Sequence, residues 1–411
     1  MPACVGLAVG WLELKRIYLD HHATTPLDPA VLAAMMPYLT GAFGNAASRA
    51  HVYGWEAEEA VKRAREQVAR AIGASEREIV FTSGATESIN LALKGAAEVY
   101  GDRGRHLVTT AVEHPATLDT MAWLETRGWR VTYLPVDRDG LLSPEALDAA
   151  ITPETALVSV LHGHNEIGTL QPISAIGGVC KRREVLLHVD AAQAFGKVAL
   201  DMRELGIHLL SISAHKVYGP KGVGALYVRR RDPRVQLAPQ IHGGGHEGGL
   251  RSGTLNVPGI VGLGMAAELA TAQMPAEAAR TAALRDRFWT MLRQALPAIR
   301  MNGHPQLRLP GNLHVTIDGV RGDDVITKLR GVAASVGSAC ASAALKPSAV
   351  LMAIGLTDEE AASSLRFGLG RFTTEQEIEE AASRIIEAVT KLRDGSPAWA
   401  LRQAGIRLPG A

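Results

Sequence analysis

The segment Ser213-Ala214-His215-Lys216 closes an apolar, strand-like run from Ile207 to Ile212 and leads into the turn-rich Tyr218-Gly219-Pro220-Lys221-Gly222. A lysine fixed at a strand end can form a Schiff base with an aldehyde. Its amine must then be unprotonated for part of the time, which a dry or cation-flanked setting arranges. Lys216 is therefore the first candidate nucleophile of the chain, with His215 beside it.

Four further segments supply the groups that an aldehyde cofactor bearing a phosphate and a pyridine ring would need. His188-Val189-Asp190-Ala191-Ala192-Gln193 follows the apolar Val185-Leu186-Leu187 and puts Asp190 at a strand's carboxyl end, where open α/β sheets bind ligands. An acid there keeps a pyridine nitrogen protonated and the ring electron-poor, and Gln193 is in reach of the phenolic oxygen. Ile79 to Glu87 runs from a short strand through a glycine turn into the helical pattern Ser88 to Ala97. The backbone N–H groups at that helix start, at Ala85 and Thr86, with the Thr86 hydroxyl, form an anion cradle. An ordinary helix capped by Ser83 or Thr86 is the competing reading. Glu113-His114-Pro115-Ala116 offers an imidazole able to stack on a flat ring and to move protons. Gly163-His164-Asn165-Glu166-Ile167-Gly168 offers Asn165 to the ring's edge. The conjunction of these segments, more than any one of them, points to pyridoxal phosphate.

Together with Tyr18 to Pro26, Phe43-Gly44-Asn45, Arg251-Ser252-Gly253-Thr254 and Ser338-Ala339-Cys340, these segments resemble the cysteine desulfurases, relatives of the class V aminotransferases. The resemblance runs from about Ile17 to the C-terminus. It implies that Lys216 carries pyridoxal 5'-phosphate, that Asp190 pairs with the pyridinium, and that Gln193 meets the phenolic oxygen with His114 over the ring. Ala85, Thr86, Ser213 and His215 would hold the phosphate, joined by Thr254 of a neighbouring subunit. Asn45, Asn165 and Arg366 would bind the substrate, Arg366 gripping its α-carboxylate with a guanidinium fork.

Cys340 separates sulfur transfer from transamination. It lies in Gly331 to Ala344, a run of small residues with little to bury, and an exposed thiol near a cation gains thiolate character. The resemblance implies conversion of L-cysteine to L-alanine with sulfur retained on Cys340 as a persulfide, and with Lys216 and His114 as the proton carriers. Sulfur would then pass to an iron-sulfur scaffold protein and other acceptors, tRNA-thiolation proteins among them. The length around Cys340 matches the long-loop branch. The alternatives are a selenocysteine lyase or other class V aminotransferase, which would keep Lys216 and Asp190 without needing Cys340, and a non-enzymatic binding protein in sulfur traffic. Ala46, His164, Ala192, Ala214 and Ala341 depart from the commonest family pattern; none removes a group assigned to chemistry, and His164 adds an imidazole near the ring.

The whole chain agrees with such an enzyme. Its 411 residues exceed one ordinary core. The expected architecture is α/β, of the fold type I class of pyridoxal-phosphate-dependent transferases. It comprises an N-terminal segment over 1–27, a large domain over 28–270 with a mostly parallel sheet, and a smaller α+β domain over 271–411. A net charge of +1 speaks against direct nucleic-acid binding, and no membrane-length apolar run is present. Cys4, Cys180 and Cys340 are odd in number and widely spaced, which fits a reducing, cytoplasmic setting. Residues 1–11 lack a basic start and a cleavage site, so neither signal nor transit peptide is expected. His242-Gly243-Gly244-Gly245-His246, His21-His22 and His162-Gly163-His164 have no acidic or thiol partner at a metal spacing, and no metal is expected. A homodimer is expected.

Positioning falls to regular elements. Strands and helices alternate from about Glu78 to Val228. Ala57, Val61, Ala64, Val68 and Ile72 form a helical stripe before them. A helix-rich span runs from Pro258 to Leu296, and strand-like Leu313 to Ile317 and Leu365 to Gly368 follow. A closing helix carries Ile378, Ala382, Ile385, Val389 and Leu392, with a capping box of Thr374 and Glu377.

Overall fold

Apolar period-2 and period-3.6 runs become strands and helices in alternation, as a computed structural model describing residues 16–336 and 348–403 makes explicit. The first half comprises β1 (Ile17–Tyr18), α1 (Pro29–Leu39), α2 (Val52–Ala71), β2 (Ile79–Thr82), α3 (Ala85–Tyr100), β3 (His106–Thr110), α4 (Pro115–Glu125), β4 (Arg130–Leu134), α5 (Pro144–Ala150), β5 (Thr155–Leu161), α6 (Ile173–Arg182), β6 (Leu186–Asp190), β7 (Leu209–Ser213) and β8 (Gly224–Val228). After it come α7 (Val257–Ala295), β9 (Ile299–Met301), β10 (Asn312–Ile317), α8 (Gly322–Lys328), β11 (Val332–Ala333), α9 (Ala349–Ala353), α10 (Asp358–Ala362), β12 (Ser364–Gly368), α11 (Glu375–Asp394) and α12 (Pro397–Gln403).

Seven strands form the main sheet in the order β2-β8-β7-β6-β5-β3-β4. β3, β4, β5, β6 and β7 pair in parallel, and β8 runs antiparallel to both β7 and β2. Every residue of β5, β6 and β7 is buried, as expected for strands covered by helices on both faces. The predicted α/β architecture is thus observed. Because β2 and the parallel strands all point one way, their carboxyl ends lie along one edge, and the loops carrying the candidate residues emerge together there.

The stripe of α2 is buried at Ala57, Val61, Ala64 and Val68, with Ile72 just past its end also buried, and it packs on α7. Burying each such valine contributes about 1.5–3 kcal/mol. α7, at 39 residues, realises the helix-rich span as one element. Its first half joins the core under the main sheet, and Leu284, Phe288 and Leu292 join a second core. That second core is built on the antiparallel sheet β12-β10-β9, with Phe288 edge-on to Phe367. α11 buries Ile378, Ala382, Ile385 and Val389, and the Thr374–Glu377 capping box forms at its start. Cys340 lies outside the described residues.

Candidate functional site

Lys216 ends the short turn that follows β7, as its sequence position predicts. Its Nζ donates to the carbonyls of His22 at 2.6 Å and Ala23 at 2.8 Å. The segment before α1 wraps the turn: Thr25 N–H and its hydroxyl both donate to the His215 carbonyl, at 2.9 and 3.0 Å, and Tyr218 N–H donates to Thr25 Oγ1. Lys216 is held by backbone that arrives from the far end of the sequence.

The N-terminus of α3 lies beside this turn. Gly84 is its N-cap and makes no side-chain cap bond, so neither Ser83 nor Thr86 caps the helix; Glu87 instead accepts from Ser83 N–H at 2.8 Å. Gly84 has φ of 153°, and a Cβ there would stand 3.9 Å from Ser213 Oγ. Thr82 and Ser213 both pair with Gly224 of β8, so the sheet register brings the start of α3, Ser213 and His215 together. An uncapped helix start with two hydroxyls and an imidazole is a set of donors suited to a phosphate ester. Burial, with Lys216, Lys221 and Lys197 nearby, pushes His215 down to about 4.

Asp190 ends β6, buried, with Oδ1 accepting from Ala192 N–H at 2.9 Å. Burial raises its pKa, and His114 and Lys216 pull it back. A protonated ring nitrogen would supply the counter-charge such a carboxylate needs. His114 is the N-cap of α4, its Nδ1 accepting from Ala116 N–H at 3.1 Å, which leaves the proton on Nε2. Burial lowers its pKa against the pull of Asp190. Gln193 is buried; its amide N–H donates to the His22 carbonyl at 2.8 Å, and its oxygen accepts from His22 Nδ1 and Lys197 Nζ. Lys216, Asp190, His114 and the α3 cradle together fit pyridoxal phosphate, in aldehyde, ring nitrogen and phosphate alike.

The substrate candidates divide. Arg366, in β12, is buried, and its Nη2 donates to Asp20 Oδ1 at 2.8 Å and to Ser335 Oγ at 3.2 Å. Its Nη1 donates to the Asn165 carbonyl at 3.2 Å, and its Nε has no partner. Arg366 and Asn165 are therefore brought together. The Asn165 loop is clamped by Gly168, whose φ of 78° suits glycine and whose Cβ position is taken by Asn312. Asn45 stands apart on an exposed loop, its carboxamide accepting from Ala47 N–H at 2.9 Å, and Thr254 is likewise exposed.

One expectation changes. His164 does not titrate usefully near the ring. It donates from Nε2 to the Val112 carbonyl at 2.9 Å and accepts at Nδ1 from Glu166 N–H at 3.0 Å. Burial pushes it down to about 4, so it is a neutral loop strut. Cys180 is buried in α6 with its thiol pushed up to about 12 by burial, inert as expected.

Residues that sequence reasoning passed over also line the site. Glu113 is buried behind His114, its Oε1 accepting from Thr110 Oγ1 at 2.7 Å and Leu161 N–H at 3.0 Å, with Oε2 unpartnered. Burial pushes it up to about 8. Asp20, His22 and Lys197 complete the set; only their nearness in sequence to quoted motifs marked them.

The model of the family Aminotransferase class-V matches residues 17–380. A protein of Anaeromyxobacter dehalogenans named "Cysteine desulfurase IscS" is 54% identical over 392 residues, which is 95% of this chain and 97% of that protein. Among solved structures, "NIFS-LIKE PROTEIN" superposes with a TM-score of 0.85 at 38% identity, covering 92% of this chain and 100% of the other. "SspA in complex with cysteine" does so with 0.77 at 40%, covering 87% and 100%.

Proposed function

This chain belongs to the class V aminotransferase family, and we propose that within it the chain is a pyridoxal-phosphate-dependent cysteine desulfurase that converts L-cysteine to L-alanine. The observation that carries this reading is the convergence of Lys216, Asp190, His114 and the uncapped start of α3 at one sheet edge. Relatives named for the activity match over nearly the whole chain, and a neighbour's title names cysteine as its ligand.

When bound, the cofactor supplies an electron-poor ring that acidifies the α-hydrogen of the amino acid. Lys216 would anchor it and is the base placed to move the α-proton, its ammonium steadied by the His22 and Ala23 carbonyls. Asp190 holds positive charge at the ring nitrogen. Arg366 offers Nη1, Nη2 and the unpartnered Nε to the substrate carboxylate beside Asn165. His114 Nε2–H would be the neighbouring proton donor.

Sulfur acceptance falls to Cys340. Ser335 is tied to Arg366, and Ser348 donates to Glu166 at 2.7 Å, so chain on both sides of the segment 337–347 is fastened next to Asn165. Five residues from Ser335 reach at most ~17 Å, enough to bring the thiol to a substrate held by Arg366. The Cys340 thiolate would attack the substrate sulfur; the carbon–sulfur bond breaks, its electron pair stays with the carbon, which takes up a proton to become alanine's methyl, and a persulfide remains on Cys340.

Thr254 and Asn45, both exposed, suit a homodimer in which surface loops complete a neighbour's site. The outer face of α1, the loop after it and the start of α2 expose Leu32, Met36, Leu39, Phe43, Tyr53 and Trp55, more apolar surface than a lone chain usually leaves open. Delivery of sulfur to an iron-sulfur scaffold or tRNA-thiolation protein follows from the same reading. So does a two-domain division near residue 270, supported by the two cores that α7 links. Among the described residues, no helix is long and apolar enough to cross a membrane.

The test is incubation with pyridoxal phosphate and L-cysteine. Alanine release and a mass gain of one sulfur on Cys340 are expected, with Cys340→Ser keeping the cofactor's colour and losing both. Undiminished turnover in Cys340→Ser favours the lyase or aminotransferase alternatives; a colourless protein sinks the whole reading.

A further inference from the structure

Beneath the Lys216 turn lies a small cavity bounded by His22, Lys197, Tyr218, Glu277 of α7 and Gly370 after β12. His22 is buried, donates from Nδ1 to Gln193 Oε1 at 3.1 Å, and leaves Nε2 unpartnered. Lys197 donates to the same Gln193 oxygen at 3.0 Å. On the other side of the amide, Gln193 Nε2 donates to the His22 carbonyl, the oxygen that Lys216 also contacts.

A carboxamide has two orientations that differ only in which end accepts. Burial and the neighbouring Lys216 push Lys197 down to about 7. Below that pH it is an ammonium, which only donates, while a carbonyl only accepts, so Lys197 and the His22 carbonyl impose the same orientation on Gln193 from opposite sides. We propose that Lys197 is a positioning residue for the reaction, holding the Gln193 oxygen inward so that the amide's second N–H is what remains for the phenolic oxygen of the cofactor. Without that cation only the two His22 contacts oppose a flip, and a flipped Gln193 would present an oxygen to an oxygen. The charged and titratable groups facing Lys197 are Lys216 from the turn after β7, Glu277 from α7, and His21, His22 and His215. Glu277 is itself paired with Arg371 at 2.8 Å.

The inference rests on the reading that Lys216 carries the cofactor, and the pH titration of the lysine-bound cofactor's visible absorbance tests it without reference to turnover. An N–H donated to the phenolic oxygen disfavours protonation of the lysine-linked chromophore. Lys197→Met is therefore expected to raise the titration midpoint by about one unit. In a Gln193→Ala background the same substitution should move it by less than a third as much. A full-sized shift in that background means that the ammonium acts by its charge alone and overturns the inference, as does a midpoint unmoved by Lys197→Met in the otherwise wild-type chain. Lys197→Ala serves the same comparison should the methionine variant fail to fold. A wild-type chain with no visible band defeats the functional reading first and this inference with it.

Discussion

Arg366 and Asp20, 346 positions apart in the chain, meet with 2.8 Å between Nη2 and Oδ1. The guanidinium side chain is 1% exposed and the carboxylate 17%, so the arginine proposed to bind substrate is charge-balanced by the fold itself. A buried cation stripped of its partner is costly. Asp20→Ala should therefore lower the unfolding free energy by about 3 kcal/mol, read from urea denaturation. A loss within about 0.5 kcal/mol, the range of an exposed pair, would contradict the burial of this one.

The shape of the guanidinium matters as much as its charge. Arg366→Lys keeps the cation and gives up the fork that spans Asp20, Ser335 and the Asn165 carbonyl. A roughly hundredfold fall in kcat/KM for cysteine, about 2.7 kcal/mol of lost binding, is expected mainly in KM. Steady-state kinetics decide, and a change confined to kcat argues against a role in holding the carboxylate.

Those two residues mark what sequence could and could not disclose. Lys216, Asp190, His114 and Thr86 were legible because each ends or follows a strand, and parallel strands deliver their carboxyl ends to one edge. The stripes of α2 and α11 were legible because helical periodicity writes burial into local spacing. The Asp20–Arg366 pair, the Lys197–Gln193 contact and the burial of Glu113 have no such period. They arise where separate elements meet, and a single charged residue in a loop looks solvent-bound until the loop is seen to be covered. His164 misled for the same reason, since its partners Val112 and Glu166 come from tertiary packing and a tight turn.

His114 has one observed task and one proposed one, which mutation can separate. Its Nδ1 caps α4, a task asparagine performs well. His114→Asn should leave thermal stability nearly unchanged while turnover falls by about 10²–10⁴, the worth of a positioned proton carrier. His114→Ala should add a stability loss of about 1 kcal/mol from the missing cap. Equal activity in the asparagine variant and the wild type would confine His114 to capping.

Glu113 makes stability depend on pH in a direction opposite to most carboxylates. Burial raises its pKa from 4.5 to about 8, so the folded chain holds a proton that the unfolded chain releases. Its stabilising share is whole below about pH 4.5 and drains away as pH rises to 8. Glu113→Gln keeps an oxygen for Thr110 and Leu161 and removes the titration. Its advantage in thermal midpoint over the wild type should be small near pH 5 and grow to a plateau above pH 8, worth up to about 5 kcal/mol. An advantage that is flat across that range would place Glu113 ionised throughout.

Helix α1 is apolar on two faces, and that carries the last expectation. Val31 and Met35 are buried, while Leu32, Met36 and Leu39, spaced by four and three residues, remain exposed. A helix apolar all round belongs in an interior, and a second copy of the chain is the occupant the proposed dimer supplies. Covering each of these side chains contributes about 1.5–3 kcal/mol, so a charge in the middle of the stripe should be decisive. Met36→Asp is expected to shift the sedimentation coefficient from dimer to monomer at micromolar concentration. Cofactor retention should weaken with it, if the neighbour's Thr254 reaches the phosphate as proposed. A monomeric wild type, or a Met36→Asp dimer of undiminished stability, would remove α1 from the interface.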